Sequence, residues 1–142
     1  LQECGATVRD KFADFYRRTG RKLHLEIEPG TYLVANAGIV LAEVIDVKST
    51  DRYNFIIINS GMTEVTRPVL YGAQHPLAVL AYGHTPERQL EYVVAGHCCE
   101  SGDISTPAAG VPEEILSRLL PETRVGDVLV IGGAGAYCSG IS

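Results

Sequence analysis

No stretch of this 142-residue chain is continuously apolar over the roughly 20 residues that a bilayer-spanning helix needs. A membrane partner is therefore not expected. A secretory leader is missing as well, because Glu3, Arg9, Asp10 and Lys11 stand where its apolar core would be. Lysine and arginine form no run, and the formal net charge is −5, so nothing offers the charge needed to neutralise nucleic-acid phosphates. Cysteine is sparse. The four thiols are Cys4, Cys98, Cys99 and Cys138, with no C-x-x-C spacing to suggest zinc or another metal. Adjacent Cys98 and Cys99 do not readily bridge each other, which reads as reduced thiols in a cytoplasmic protein. Methionine is sparser still, with Met62 the single one. The chain starts at Leu1 inside a helical pattern and stops at Ser142 soon after a glycine-rich turn, so it is expected to be a piece of a longer protein. Internal repeats and low-complexity segments are absent.

What is present is the composition of one globular domain, 46% hydrophobic and 20% charged, long enough to bury a core. Val8, Phe12, Phe15 and Tyr16 fall on one stripe of a helix, with Arg17 and Arg18 at its negative end and Gly20 as its stop. Leu23, Leu25 and Ile27 then alternate with polar residues, which predicts a strand ended by Pro29-Gly30. Beyond it, strands are predicted at Tyr32 to Ala35, Ile39 to Val47, Asn54 to Asn59, Leu77 to Tyr82, Leu90 to Ala95 and Asp127 to Ile131. Turn signals separate them, the pattern of an antiparallel sandwich or barrel. A short helix is predicted over Glu113 to Leu120, entered through Pro112 and stopped before Pro121. The expected class is mainly β. Residues 1–30 form a helix–strand unit and residues 31–142 a β-domain; the first cannot cover both faces of its own strand and is expected to belong to a larger (β/α)8 barrel.

Four constellations could carry chemistry. Cys99-Glu100-Ser101-Gly102, closed by Asp103, places a thiol, a carboxylate and a hydroxyl just after an apolar run. Glu28-Pro29-Gly30 ends a strand that follows a helix, the functional face of a (β/α)8 barrel. Arg67-Pro68 with Tyr71 and His75 offers a guanidinium for bidentate carboxylate binding, and Tyr71 can donate a further hydrogen bond. Gly132 to Tyr137 permits close backbone approach and then presents an aromatic, without the helical pattern of a dinucleotide site. Each has a plain alternative as an ordinary turn, and His75 reads more readily as structural than catalytic.

In order along the chain, Glu28-Pro29-Gly30, Leu33 to Gly38, Ser60-Gly61-Met62, Arg67 to Tyr71, His75-Pro76, Cys99 to Asp103 and Gly135-Ala136-Tyr137 resemble the C-terminal part of the diaminopimelate decarboxylases. These pyridoxal phosphate enzymes join an N-terminal (β/α)8 barrel to a C-terminal β-domain. The resemblance covers nearly the whole chain. It implies that Glu28 and Tyr137 contact pyridoxal phosphate, and that Arg67 and Tyr71 bind the carboxylate of the substrate's distal amino-acid head. It further implies a homodimer in which Cys99 and Glu100 act in the other subunit's site, Cys99 as proton donor and Glu100 beside the distal ammonium. The small-molecule substrate would be meso-diaminopimelate, converted to L-lysine and carbon dioxide.

The departures bear on that expectation. Thr31 stands where the family has arginine after Glu-Pro-Gly, Asn59-Ser60 replaces Asp-Ala, and Gly133 replaces an aspartate. The lysine that would hold the cofactor lies in the barrel; Lys11, Lys22 and Lys48 do not sit in its motif. The chain alone is thus expected to bind no pyridoxal phosphate and to be inert. Thr31 keeps open a decarboxylase of another diamino acid, of ornithine, arginine or carboxynorspermidine type. A non-catalytic β-barrel interaction or regulatory module is the alternative from another class.

Overall fold

A computed structural model describes residues 2–141. Helix α1 runs Gln2–Thr19 and ends where Gly20, at φ 71°, donates its N–H to the Tyr16 carbonyl at 2.8 Å. Arg18 and Arg17 of its last turn reach back to Asp14 at 2.9 and 3.4 Å. None of its residues is buried, and the stripe of Val8, Phe12 and Phe15 is half-buried at most.

Two local expectations fail next. Residues 21–29 form no strand; Ile27 is 69% exposed and no described residue pairs with the segment. Alternation alone does not make a strand, because the ladder needs a neighbour. Tyr32 to Ala35 is helical, as α2 (Gly30–Val34) and a 3-10 turn (Ala35–Ala37). Pro29, at φ −81°, starts the first turn by accepting the Leu33 N–H at 3.1 Å. The far end is pulled into the glycine loop, whose Gly135 and Ala134 amides donate to Ala35 and Gly38 at 2.9 Å each.

The rest is β. The strands are β1 (Val40–Ser49), β2 (Asn54–Ile58), β3 (Leu77–Leu80), β4 (Gln89–Ala95), β5 (Pro107–Ala108), β6 (Val111–Ile115), β7 (Arg118–Pro121) and β8 (Val128–Ile131). Six of them form one sheet in the order β3-β8-β1-β2-β4-β7, and its edges β3 and β7 approach each other, so the sheet curls into a nearly closed barrel. Its pairs are antiparallel except β2–β4, whose parallel register requires the long crossover of residues 59–88. That crossover carries α3 (Arg67–Tyr71).

The helix predicted over Glu113 to Leu120 is instead the end of β6 and most of β7. Ala109-Gly110 turns the chain with Gly110 at φ 76°, pairing Ala108 with Val111. β7 then pairs with β4, Leu120 opposite Leu90, which buries Leu120 to 5% exposure. Pairing and burial outweigh local helix signals here.

The core follows the period-two pattern. Ala42 and Val44 of β1, Ile56 and Ile58 of β2, Tyr92 and Val94 of β4, and Leu129 and Ile131 of β8 face one another, joined by Val65, Leu120 and Cys138. A bulge between Val44 and Asp46 breaks the β1 register. The backbone groups of Val44 are taken up by the 124–127 turn, through Asp127 and Gly126 at 2.8 and 2.9 Å.

Candidate active site

β4 stops at Ala95, which bridges Ile104 across the loop that holds Cys99. Asp103 closes this loop from inside. It is 3% exposed; its Oδ1 accepts the Met62 N–H at 2.7 Å and its Oδ2 the Cys98 N–H at 2.9 Å. Gly61 and Gly96 lie so close that a Cβ on either would overlap the carboxylate. Amides bonded to a carboxylate are each worth about 1.5–3 kcal/mol, enough to hold a short loop. Cys99 and Glu100 are thereby presented at an exposed tip, where the Glu100 carboxylate accepts the Gly102 N–H at 3.0 Å and the Ser101 hydroxyl at 3.3 Å. Cys98 turns inward. Partial desolvation, then the Asp103 carboxylate, pushes its thiol pKa up.

A second tie joins the same two segments. Glu64 accepts the Ser60 hydroxyl and the Gly61 N–H at 3.0 Å each, and the Thr63 hydroxyl at 2.8 Å. Burial acts to raise the Glu64 pKa, and the bonds from Thr63, Ser60 and Gly61 together outweigh it, so the carboxyl titrates below its ordinary value. Thr63 has one hydroxyl proton; with that on Glu64, its oxygen accepts from His97 Nε2 at 3.0 Å.

One turn of helix carries the cationic side of the site. α3 has Pro68 in its first turn and ends at Gly72, φ 60°. A Cβ at Gly72 would meet Val111 N and Ala108 O at 2.5 and 2.7 Å, so the helix seats directly on the β5–β6 hairpin. Arg67 and Tyr71, four residues apart on one face, stack with the guanidinium 5.7 Å from the ring centroid. Arg67 also acts on Cys138, whose thiol is pushed up by burial and pulled back by this charge. Val69 points the other way and shares a groove of about 510 Å³ with Glu100, Ser101, Gly102 and Ile104.

Tyr137 stands at φ 53°, the one positive-φ residue other than glycine among those described, and is 54% exposed. The glycines before it serve the chain itself: a Cβ on Gly135 would overlap the Val34 carbonyl. This contact brings the Glu-Pro-Gly turn to the aromatic, with the Tyr137 hydroxyl 4.0 Å from where a Gly30 Cβ would lie. Glu28, two residues earlier, is exposed, and its carbonyl accepts the Gly30 N–H at 2.9 Å. His75 is structural, as the sequence suggests; its Nδ1–H donates to the Gly132 carbonyl at 2.9 Å and steadies the glycine loop. An exposed phenol on a fixed loop beside a carboxylate-bearing turn suits the phosphate and ring of pyridoxal phosphate. Lys48 lies on β1, Lys11 on α1 and Lys22 on the 21–29 segment, none of them on the Tyr137 loop.

The residues predicted from sequence thus fall into two groups. Arg67 and Tyr71 stack on one side of α3, and the Arg67 charge acts on Cys138, next to Tyr137; Glu100, the residue after Cys99, lines a groove with Val69. Glu64, Thr63 and His97 were not foreseen, nor was the pair His84–Asp127. Asp127, 1% exposed, accepts the Tyr82 and Arg124 amides at 2.8 and 2.7 Å and His84 Nε2 at 2.9 and 3.0 Å.

The family described as pyridoxal-dependent decarboxylase, C-terminal sheet domain, matches residues 18–135. The chain is 39% identical to a diaminopimelate decarboxylase of Escherichia coli over 131 residues, 89% of this chain and 30% of that protein. It is 46% identical to one of Deinococcus radiodurans over 118 residues, 83% and 28% of the two. A crystal structure of diaminopimelate decarboxylase superposes with a TM-score of 0.78 at 35% identity, over 94% of this chain and 32% of that one. The chain spans about 30% of the length of these relatives. Among the described residues no helix is long and apolar enough to cross a membrane. The nearly closed sheet, its ordered motifs and the span of the match agree: the chain belongs to the pyridoxal-dependent decarboxylase family, as its C-terminal sheet domain.

Proposed function

We propose that the protein carrying this domain decarboxylates meso-diaminopimelate to L-lysine and carbon dioxide, in the cytoplasm, and that the domain alone is inert. Residues 1–30 are the last helix–strand unit of a (β/α)8 barrel, and residues 31–142 the β-domain. In support, the stretch of alternating apolar residues at 23–27 is exposed and unpaired among the described residues, as a strand cut from its sheet would be.

When bound, pyridoxal phosphate would supply the electron sink for the bond pair left on the α-carbon as carbon dioxide departs. Tyr137 and Glu28 would hold it, Tyr137 through its phosphate. Arg67 and Tyr71 grip the carboxylate of the distal head, the planar guanidinium by two parallel N–H bonds. Glu100 faces the distal ammonium, and Cys99 gives its thiol proton to the carbon that has lost the carboxylate. Two opposed handles select a substrate that ends in an amino acid over one that ends in an amine.

The observation that carries this reading is the separation of the two residue groups at α3: Arg67 stacks on Tyr71, whereas Val69 lines a groove with Glu100, the residue after Cys99. Two half-sites on one chain suit a homodimer in which each active site takes one half from each subunit. Complementation tests it on the full-length protein. Arg67→Ala and Cys99→Ala, each nearly inactive as homodimers, should regain about a quarter of native activity when mixed, through heterodimers with one intact site. No recovery would place both halves in the same site and sink the proposal of action in trans.

Thr31, exposed in the first turn of α2, favours a second reading, decarboxylation of another diamino acid. Under the first reading, kcat/KM for diaminopimelate exceeds that for ornithine, arginine and lysine. A different winner would establish the second.

A further inference from the structure

We propose that Asp103 is a positioning residue for turnover: it sets Cys99 within reach of the reacting carbon and Glu100 beside the distal ammonium, while itself touching neither substrate nor cofactor. This rests on the roles given above to Cys99 and Glu100. The geometry is that of a built socket rather than a loose turn. One carboxylate, 3% exposed, takes an amide from each of two chain segments 36 residues apart, Met62 at 2.7 Å and Cys98 at 2.9 Å. Gly61 and Gly96 supply the space, since a side chain on either would occupy the carboxylate's position. The Glu64–Thr63–His97 tie fastens the same two segments one residue further out on each side. The Cys98 amide is one residue from the proposed proton donor, so releasing it lets the tip turn. The two bonds run from donors only, so asparagine cannot replace the carboxylate without aiming its own N–H at one of them.

The test uses the pyridoxal phosphate-loaded full-length protein. A displacement of about 1 Å at a reacting group costs on the order of 10²-fold, so Asp103→Asn should lower kcat by roughly that factor. The KM for diaminopimelate should rise by a smaller factor than kcat falls, since Arg67 and Tyr71 still hold the distal carboxylate when Glu100 shifts, and the cofactor absorbance should stay near native. A folded Asp103→Asn enzyme with native kcat overturns the proposal, as does one that melts early but turns over normally in its folded fraction. Cys99→Ala, assayed beside it, separates the two claims: native kcat there defeats the role of Cys99 itself, whatever Asp103 does. A measurement on the unmodified protein needs no variant to fold. By hydrogen exchange the Met62 and Cys98 amides should be protected well beyond those of Cys99 and Ser101. Exchange of all four at one fast rate overturns the proposal.

Discussion

Asp103 and Asp127 are both buried carboxylates that collect one nearby and one distant backbone amide, yet they are built for different ends. Asp127 binds Tyr82 and Arg124 amides and also His84, and its own backbone sits on the β1 bulge at Val44. Everything it ties lies in the loops that follow β3 and precede β8. Burial acts to raise its pKa, and the amide bonds with His84 outweigh that, so it titrates below the ordinary carboxylate range. Asp103 binds the Met62 and Cys98 amides and packs against Gly61 and Gly96, with no cation paired to it among the described residues, and its chain leads directly to an exposed thiol and carboxylate. One device thus closes a sheet at one place and aims a loop at another. Both carboxylates are buried; what differs is that Asp127 ties loops that return to strands of the barrel, whereas the loop that Asp103 holds carries an exposed thiol and carboxylate.

The largest expected effect breaks this comparison on the barrel side. Asp127→Ala would leave two buried amides and His84 without their acceptor, costing about 3–5 kcal/mol of stability, read by urea unfolding of the full-length protein. A loss under 1 kcal/mol would make Asp127 no more than a surface cap. On the loop side, Gly96→Ala should displace the Asp103 carboxylate and cut kcat about tenfold, with a smaller change in melting temperature. Its effect should be less than additive with Asp103→Ala, which removes the group it collides with; full additivity would separate the two residues.

Acid sharpens the contrast further. Asp127 and Glu64 have folded pKa values below their unfolded ones, so the unfolded chain binds more protons and stability rises with pH across that window. Their contribution is complete above the ordinary carboxylate value of about 4 and is lost as pH falls through the lower folded values. Unfolding free energies measured from neutral pH down to pH 2.5 should fall less steeply in Asp127→Asn than in the native protein. The smallest effect concerns the thiols beside Asp103. Exposed Cys99 should alkylate faster than Cys98, whose thiol is half-buried and pushed up, by about severalfold at pH 8. Peptide mass mapping after iodoacetamide gives the order, and equal rates would mean that the loop does not hold Cys98 inward.

How much could be read along the chain depended on how local each cause was. Ile56 and Ile58, or Leu129 and Ile131, alternate within their own strands, and that alternation needs no knowledge of the partner. Pro112 and Pro121 are equally local, yet they misled, because the bonds that make β6 and β7 lie with β5 and β4. Leu23, Leu25 and Ile27 misled in the opposite sense, offering a strand with nothing described to pair it. Of the candidate site, Arg67, Tyr71, Cys99, Glu100, Glu28 and Tyr137 were visible as motifs in order, but no motif carries the distances between them. His84 and Asp127, 43 residues apart, left no local trace at all.

Residue order therefore established the β-rich class, the strand positions with clear alternation and the residue types on which decarboxylase chemistry would draw. Folding alone established that the six strands curl into a nearly closed barrel, that Gly135 makes room for the Val34 carbonyl, and that Arg67 stacks on Tyr71 while Val69 lines a groove with Glu100. The physical reason is range. Alternation and turn chemistry act over a few residues, whereas amides such as those of Met62 and Cys98 meet one carboxylate only when the sheet has brought their segments together.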